Sequence, residues 1–235
     1  MGGLHLRLEK RMDKSRLRSM VTYFKPKTIV SEQYRSIRTN IQFSSGKQSN
    51  RSIVVTSSIP GDGKSTTVAN LSISFAQQGK RVLIVDADLR KPTLHHIFRI
   101  SQVNGLTNYL AGFYPSIDEI VYDTGVDNLS IVTCGPIPGN PAELLGSQHM
   151  KDFMDEALQK FDMVLVDTSP VLAVTDAQIV SNLCDGVVLV IRSGKTDKKQ
   201  VKKAKELLEQ TNATVLGAVL NQKKASKKQN FYYVN

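Results

Sequence analysis

Ser58-Ile59-Pro60-Gly61-Asp62-Gly63-Lys64-Ser65-Thr66 decides how this chain folds. The stretch matches G-x-x-x-x-G-K-[ST], with Ser58 in place of the first glycine. It follows a β-branched run, Ser52-Ile53-Val54-Val55-Thr56, and opens a helical pattern over residues 66–78 that Gly79 stops. Strand, glycine-rich turn and helix together make a phosphate cradle. Gly61 and Gly63 let the backbone turn sharply and aim N–H groups at phosphate oxygens. The helix N-terminus adds partial positive charge. Gly61, Asp62, Gly63, Lys64, Ser65 and Thr66 are therefore expected to grip ATP. Lys64 would reach the β- and γ-phosphates and Ser65 would ligate Mg²⁺.

Outward from this loop the chain alternates. Strands are expected at 81–85, 129–133, 161–166, 186–191 and 215–220. Helices are expected at 142–160, 176–184 and 198–210, with short ones at 106–110 and 117–122. An amphipathic stretch opens at Ser31-Glu32 and carries Tyr34, Ile37 and Ile41 at helical spacing. The strands are nearly continuous apolar runs, as expected when helices cover both faces. The pattern predicts an α/β fold with a doubly wound, mostly parallel sheet of the P-loop NTPase class, binding its ligand at the carboxyl ends of the strands. Asp86, Asp88 and Asp167 fall at or just past such ends. Two carboxylates at i and i+2 beyond a buried strand need a shared cation or proton. Beside Mg-ATP, one of the pair can steer the metal through water and the other can take a proton from a hydroxyl. Following a P-loop, the apolar strand ending in Asp167 reads as a Walker B element, with that carboxylate holding a metal-bound water.

With 235 residues, 40% of them hydrophobic, the chain fits one α/β domain. The division expected is a basic N-terminal segment 1–30, a P-loop domain 31–222 and a basic, tyrosine-bearing tail 223–235. Net charge is +10, with eight Lys/Arg against two acids in residues 1–27 and ten Lys against three acids in 195–229. An anionic partner fits this balance, but nucleic acid is not expected, because the basic runs carry few interleaved aromatics. Cys134 and Cys184 are far apart and without metal-ligand spacing, which suits free thiols in a reducing compartment. No apolar run approaches the roughly 18 residues that span a bilayer. The expectation is therefore a cytoplasmic protein.

Taken together, these stretches resemble the bacterial tyrosine kinases (BY-kinases) of capsular and exopolysaccharide systems, in their stand-alone cytoplasmic Gram-positive form. The resemblance covers about residues 31–233. It rests on Glu32-Gln33-Tyr34-Arg35-Ser36-Ile37-Arg38, similar to the family's E-x-x-R-x-x-R, and on the P-loop. It also rests on Asp86-Ala87-Asp88-Leu89-Arg90-Lys91-Pro92, on Gly135-Pro136-Ile137-Pro138-Gly139-Asn140-Pro141-Ala142-Glu143-Leu144, and on the terminal Tyr232-Tyr233. The resemblance implies that Asp86 is the base for a tyrosine hydroxyl and that Asp88 and Asp167 organise the metal with Ser65. It implies that Glu32, Arg35 and Arg38 join subunits into a homo-oligomeric ring, and that Tyr232 and Tyr233 accept phosphate from a neighbour. Asn221 would contact adenine. Implied partners are a membrane modulator of the polysaccharide co-polymerase type, tyrosine-containing substrates and a cognate phosphotyrosine phosphatase, with the modulator recruiting the chain to the inner face of the membrane.

Two departures carry expectations. Ser169 replaces a family proline and is expected to loosen the loop after Asp167, and Gly139 replaces another, adding flexibility in its own loop, which is expected to flank the active site. Two rival readings are a ParA/MinD-like partitioning or positioning ATPase and a non-catalytic nucleotide-sensing adaptor. The first carries a signature lysine where this chain has Ile59. Intact Lys64, Asp86, Asp88 and Asp167 favour catalysis over the second.

Overall fold

The computed structural model describes residues 14–44, 50–211 and 214–223. The strands are β1 (Ser52–Ser57), β2 (Val82–Ala87), β3 (Val121–Val126), β4 (Leu129–Val132), β5 (Met163–Thr168), β6 (Gly186–Arg192) and β7 (Val215–Asn221). The helices are α1 (Lys14–Ser19), α2 (Val21–Phe24), α3 (Ile29–Ser44), α4 (Lys64–Ala76), α5 (Leu94–Phe98), α6 (Leu106–Leu110), α7 (Pro141–Leu145), α8 (Gln148–Lys160), α9 (Asp176–Ser181) and α10 (Lys198–Glu209).

One sheet runs in the order β3-β4-β2-β5-β1-β6-β7. Every pairing is parallel except that of β3 with β4. All residues of β1, β2 and β5 are buried, which is why those segments read as unbroken apolar runs. Alternation still sorts the side chains between two cores. Ile53 and Val55 of β1 pack with Leu71, Ile73 and Phe75 of α4, while Val54 points to the other face with Phe153 and Met154 of α8. Each such side chain contributes roughly 1.5–3 kcal/mol on burial. The parallel order places the β1, β2 and β5 carboxyl ends side by side, and in register β2 sets Asp86 opposite Asp167 of β5.

Two sequence expectations are corrected. Residues 117–122 are not one short helix. A single 3₁₀ turn at Ile117–Glu119 leads into β3, an edge strand that hairpins onto β4. The hairpin turns through Asn128 at φ 62°, and Thr124 Oγ1 donates to the Leu129 carbonyl at 2.7 Å. The helix expected over 142–160 is two, α7 and α8, separated at Gly146-Ser147. Part of the basic N-terminal stretch is built into the fold. Met20 is fully buried, the Thr22 N–H donates to Asn70 Oδ1 at 2.9 Å, and Asn70 Nδ2 donates to the Ser19 carbonyl at 2.6 Å. A polar anchor of this kind leaves no hydrophobic period to read.

Candidate active site

The loop between β1 and α4 turns on Gly61 at φ 87° and Gly63 at φ 92°, a left-handed region that glycine enters without strain. Gly61, Gly63, Lys64, Ser65 and Thr66 line a cavity of about 470 Å³ at the carboxyl ends of the strands. Its far wall includes Asp88, Arg90 and Ser169. Asp62 lies behind the loop. It is buried and accepts from Thr196 Oγ1 at 2.7 Å.

Three carboxylates surround one ammonium. Lys64 Nζ is 2.7 Å from Asp88 Oδ2 and 3.4 Å from Asp167 Oδ1. Burial works against the Lys64 charge, but Asp167, Asp88 and Asp86 more than offset it, so its pKa is raised. Asp86 is fully buried at the end of β2. Its Oδ2 accepts from the N–H groups of Thr93 (3.1 Å) and Leu94 (2.9 Å), at the start of α5. Burial first, and then the neighbouring Asp167 charge, push Asp86 up to about 8. Asp167 is also raised, chiefly by burial, although Lys64 and Ser65 pull it down.

Asp86 Oδ1 and Asp167 Oδ2 are buried without a hydrogen-bond partner among the described residues. The orphaned Asp167 oxygen fits a divalent cation, and the orphaned Asp86 oxygen is open to take a hydroxyl proton. Among the described residues no three His, Cys, Asp or Glu side chains form a self-sufficient metal cage. A cation here would complete its shell with Ser65, water and nucleotide oxygens, as Mg²⁺ usually does.

Two features escaped sequence reading. Asp176, at the start of α9, is buried and takes a two-point contact from Arg90, at 2.8 and 3.1 Å. Ser169 joins that pair to the site, its Oγ lying 2.8 Å from Asp88 Oδ1 and 3.2 Å from Asp176 Oδ2. The expected loosening at Ser169 is thus reversed. The hydroxyl is buried and bridges two acids, and the Ser169 carbonyl accepts from Thr56 Oγ1 at 2.9 Å.

Other predicted residues lie elsewhere. Asn221, at the end of β7, donates from Nδ2 to the Asp62 carbonyl at 2.9 Å. Its side chain fills the space beside Gly63, where an added Cβ would meet Nδ2 at 2.0 Å. Glu32 and Arg35 form an ion pair on α3, and Arg35 also donates to the Pro26 carbonyl. Arg38 instead turns inward and donates to the Ser74 carbonyl of α4 at 2.6 Å. Tyr232 and Tyr233 lie outside the described residues.

Comparison with known proteins places this geometry. A family described as ParA, NUBPL iron-transfer P-loop NTPase, matches residues 48–230. The tyrosine-protein kinase YwqD of Bacillus subtilis (strain 168) is 50% identical over 216 residues, covering 92% of this chain and 91% of that protein. The putative tyrosine-protein kinase CapB of Staphylococcus aureus is 40% identical over 220 residues, 94% and 96% of the two chains. The crystal structure of the chimerical protein CapA2B2 superposes with a TM-score of 0.85 at 42% identity, covering 88% of this chain and 91% of that one. This chain's cysteines, Cys134 and Cys184, are both free thiols. They are far apart in sequence, and burial, then Asp86 and Asp88, push the Cys134 thiol up to about 12.

Proposed function

This chain belongs to the bacterial tyrosine kinases, a branch of the ParA-type P-loop NTPases, and from that premise we propose that it uses Mg-ATP to phosphorylate its own terminal tyrosines, Tyr232 and Tyr233. The observation that carries this reading is the buried Asp86 beside the P-loop. Burial and then the Asp167 charge push its carboxyl up to about 8, and its Oδ1 is unpartnered among the described residues. A base with a pKa near the working pH removes a hydroxyl proton most effectively.

Each residue then has a task. Backbone N–H groups around Gly61 and Gly63 cradle the phosphates, and Lys64 neutralises their charge. Lys64 must let go of Asp88 to do so, which leaves Asp88 free to act with Asp167 and Ser65 on a cation. Mg²⁺, when bound, would supply charge neutralisation at the transferring phosphoryl group. Thr93 and Leu94 hold Asp86 so that Oδ1 is the oxygen left for the incoming tyrosine hydroxyl. Ser169, Asp176 and Arg90 fix the position of Asp88. Asn221 braces the loop and would contact adenine.

The wider role follows the same premise. We assign the chain to control of capsular or extracellular polysaccharide synthesis, working with a membrane modulator and opposed by a phosphotyrosine phosphatase. Among the described residues no helix is long and apolar enough to cross a membrane, so contact with the inner membrane face falls to the modulator in this scheme. Glu32, Arg35 and Arg38 would meet a neighbouring subunit in a ring, where one tail enters the next site; Arg38 would do so by releasing the Ser74 carbonyl. Added phosphate carries roughly −1.5 to −2 charges. It would repel the tail from the carboxylates and weaken the ring.

The test is anti-phosphotyrosine signal from purified chain with Mg-ATP and the cytoplasmic segment of the modulator. Signal is expected with wild type and not with Lys64→Met. Absence of signal in wild type, or full signal in the variant, would overturn the reading.

A further inference from the structure

α5 has the acidic site at its beginning and a basic cavity at its end. This second cavity, of about 490 Å³, is lined by Arg16 from α1, by His95, His96 and Ile97 from α5, and by Arg99 just beyond it. Among the described residues no acidic side chain lines it. Arg16 Nε and His95 Nδ1 are buried and have no hydrogen-bond partner among the described residues. The Arg16 guanidinium lies over the Phe24 ring, 5.5 Å from its centroid. The His95 and His96 rings are 3.8 Å apart. Arg99 closes α5 in the left-handed conformation at φ 59°. Burial depresses the Arg16 pKa, with the Arg99 charge adding to it, and burial and then His96 depress His95. Tyr23 is the other titratable group acting on Arg16.

A buried, unpaired guanidinium N–H beside a second guanidinium is unfavourable unless an anion joins them. Two guanidinium groups supply planar forks that suit a tetrahedral oxyanion carrying two charges. We propose that the cavity between α1 and the end of α5 is an oxyanion site that takes a phosphoryl group, separate from the nucleotide cavity. Ile97 lines both cavities, so α5 is the partition between them. The same short helix begins with the two N–H groups that hold Asp86. A phosphoryl group gripped by Arg16 and Arg99 would therefore pin the helix that positions the base.

The site is tested with the full chain saturated with Mg-ADP, so that the P-loop is filled. Calorimetric titration with inorganic phosphate, and separately with free O-phosphotyrosine, is expected to show one additional site. Phosphate binding with weaker phosphotyrosine binding identifies a free anion as the source, and the reverse identifies the phosphate ester of a tyrosine. Arg16→Gln and Arg99→Asn should each weaken that site at least about tenfold, the loss of one charged hydrogen bond. Mg-ADP affinity should stay unchanged in both. Asn is chosen at 99 because it tolerates the left-handed backbone. A readout in the wild-type chain needs no variant. The imidazole proton resonances of His95 and His96, two of only four histidines, should shift on phosphate addition. No additional site for either probe, a site that survives both substitutions, or unmoved His95 and His96 resonances would overturn the proposal.

Discussion

The two ends of α5 handle charge in opposite ways. At its beginning, Asp86, Asp88 and Asp167 crowd around Lys64, and burial raises the carboxyls of Asp86 and Asp167 above their ordinary range. At its end, Arg16, Arg99, His95 and His96 gather around a cavity that no acid lines among the described residues. An arginine cannot shed its proton to relieve such crowding, whereas an aspartate can take one up. The acidic pocket can therefore rest without its ligand by binding protons. Among the described residues the basic pocket has only its histidines to discharge.

The sharpest way to break this contrast is Asp86→Asn. As the proposed base, its loss should lower phosphotyrosine formation by about 10²–10⁴-fold in a steady-state kinase assay. The same variant has a stability signature. Folded Asp86 keeps its proton up to about pH 8, while the unfolded chain releases it near 3.8. Between those values the folded state binds more protons, so stability falls as pH rises across the window. Asp86→Asn should flatten that fall, on the order of a few kcal/mol, in denaturant titrations from pH 4 to 8. A slope as steep as wild type would mean that Asp86 is not the raised group.

Arg90→Ala should be next in size. It leaves the buried Asp176 without its cation, and although Arg90 is 39% exposed, a loss of about 2 kcal/mol is expected by urea unfolding. Ser169→Ala removes the hydroxyl that bridges Asp88 and Asp176, for about 1–2 kcal/mol. Were Ser169 merely a loosening substitution, removal of its hydroxyl would leave stability untouched. The smallest effects should come from the basic side. In phosphate-free buffer, Arg16→Gln should leave the melting temperature unchanged or raise it slightly, by no more than about 0.5 kcal/mol in stability, because it relieves repulsion. Lys64→Met, removing a cation from the acidic side, should lower it, and more at pH 8 than at pH 5. Equal responses would erase the difference between the two pockets. Separately, combined Glu32→Ala, Arg35→Ala and Arg38→Ala should lower the mass seen by light scattering if those residues join subunits.

What could be read from sequence follows the range of the interactions involved. The P-loop and the Asp86, Asp88 and Asp167 strand ends are local, since each is a short pattern in which the backbone itself does much of the work. The parallel sheet followed from apolar runs bounded by turns. Contacts between distant segments were not legible. Nothing near Asp176 in the chain signals that Arg90 will reach it, and Ser169 could be seen only as a missing proline. The N-terminal helices are fastened by Met20 and by the Asn70 amide rather than by a periodic face, so they read only as a basic segment. Edge strand β3 interleaves Asp123 and Gly125 with its apolar residues and is only partly buried, which blurred its alternation into an apparent helix.

Asn221 ties the nucleotide loop to one margin of the sheet. β7 is a border strand with partly exposed residues throughout, and its final side chain clasps the Asp62 carbonyl. Border strands fray before central ones. Each fraying event at Asn221 would unclasp the loop, so amide exchange at β7 and at Gly63 should share one rate, and ligand gripped by the loop should slow both. The grip on nucleotide is thereby rigid only for as long as the last strand stays seated.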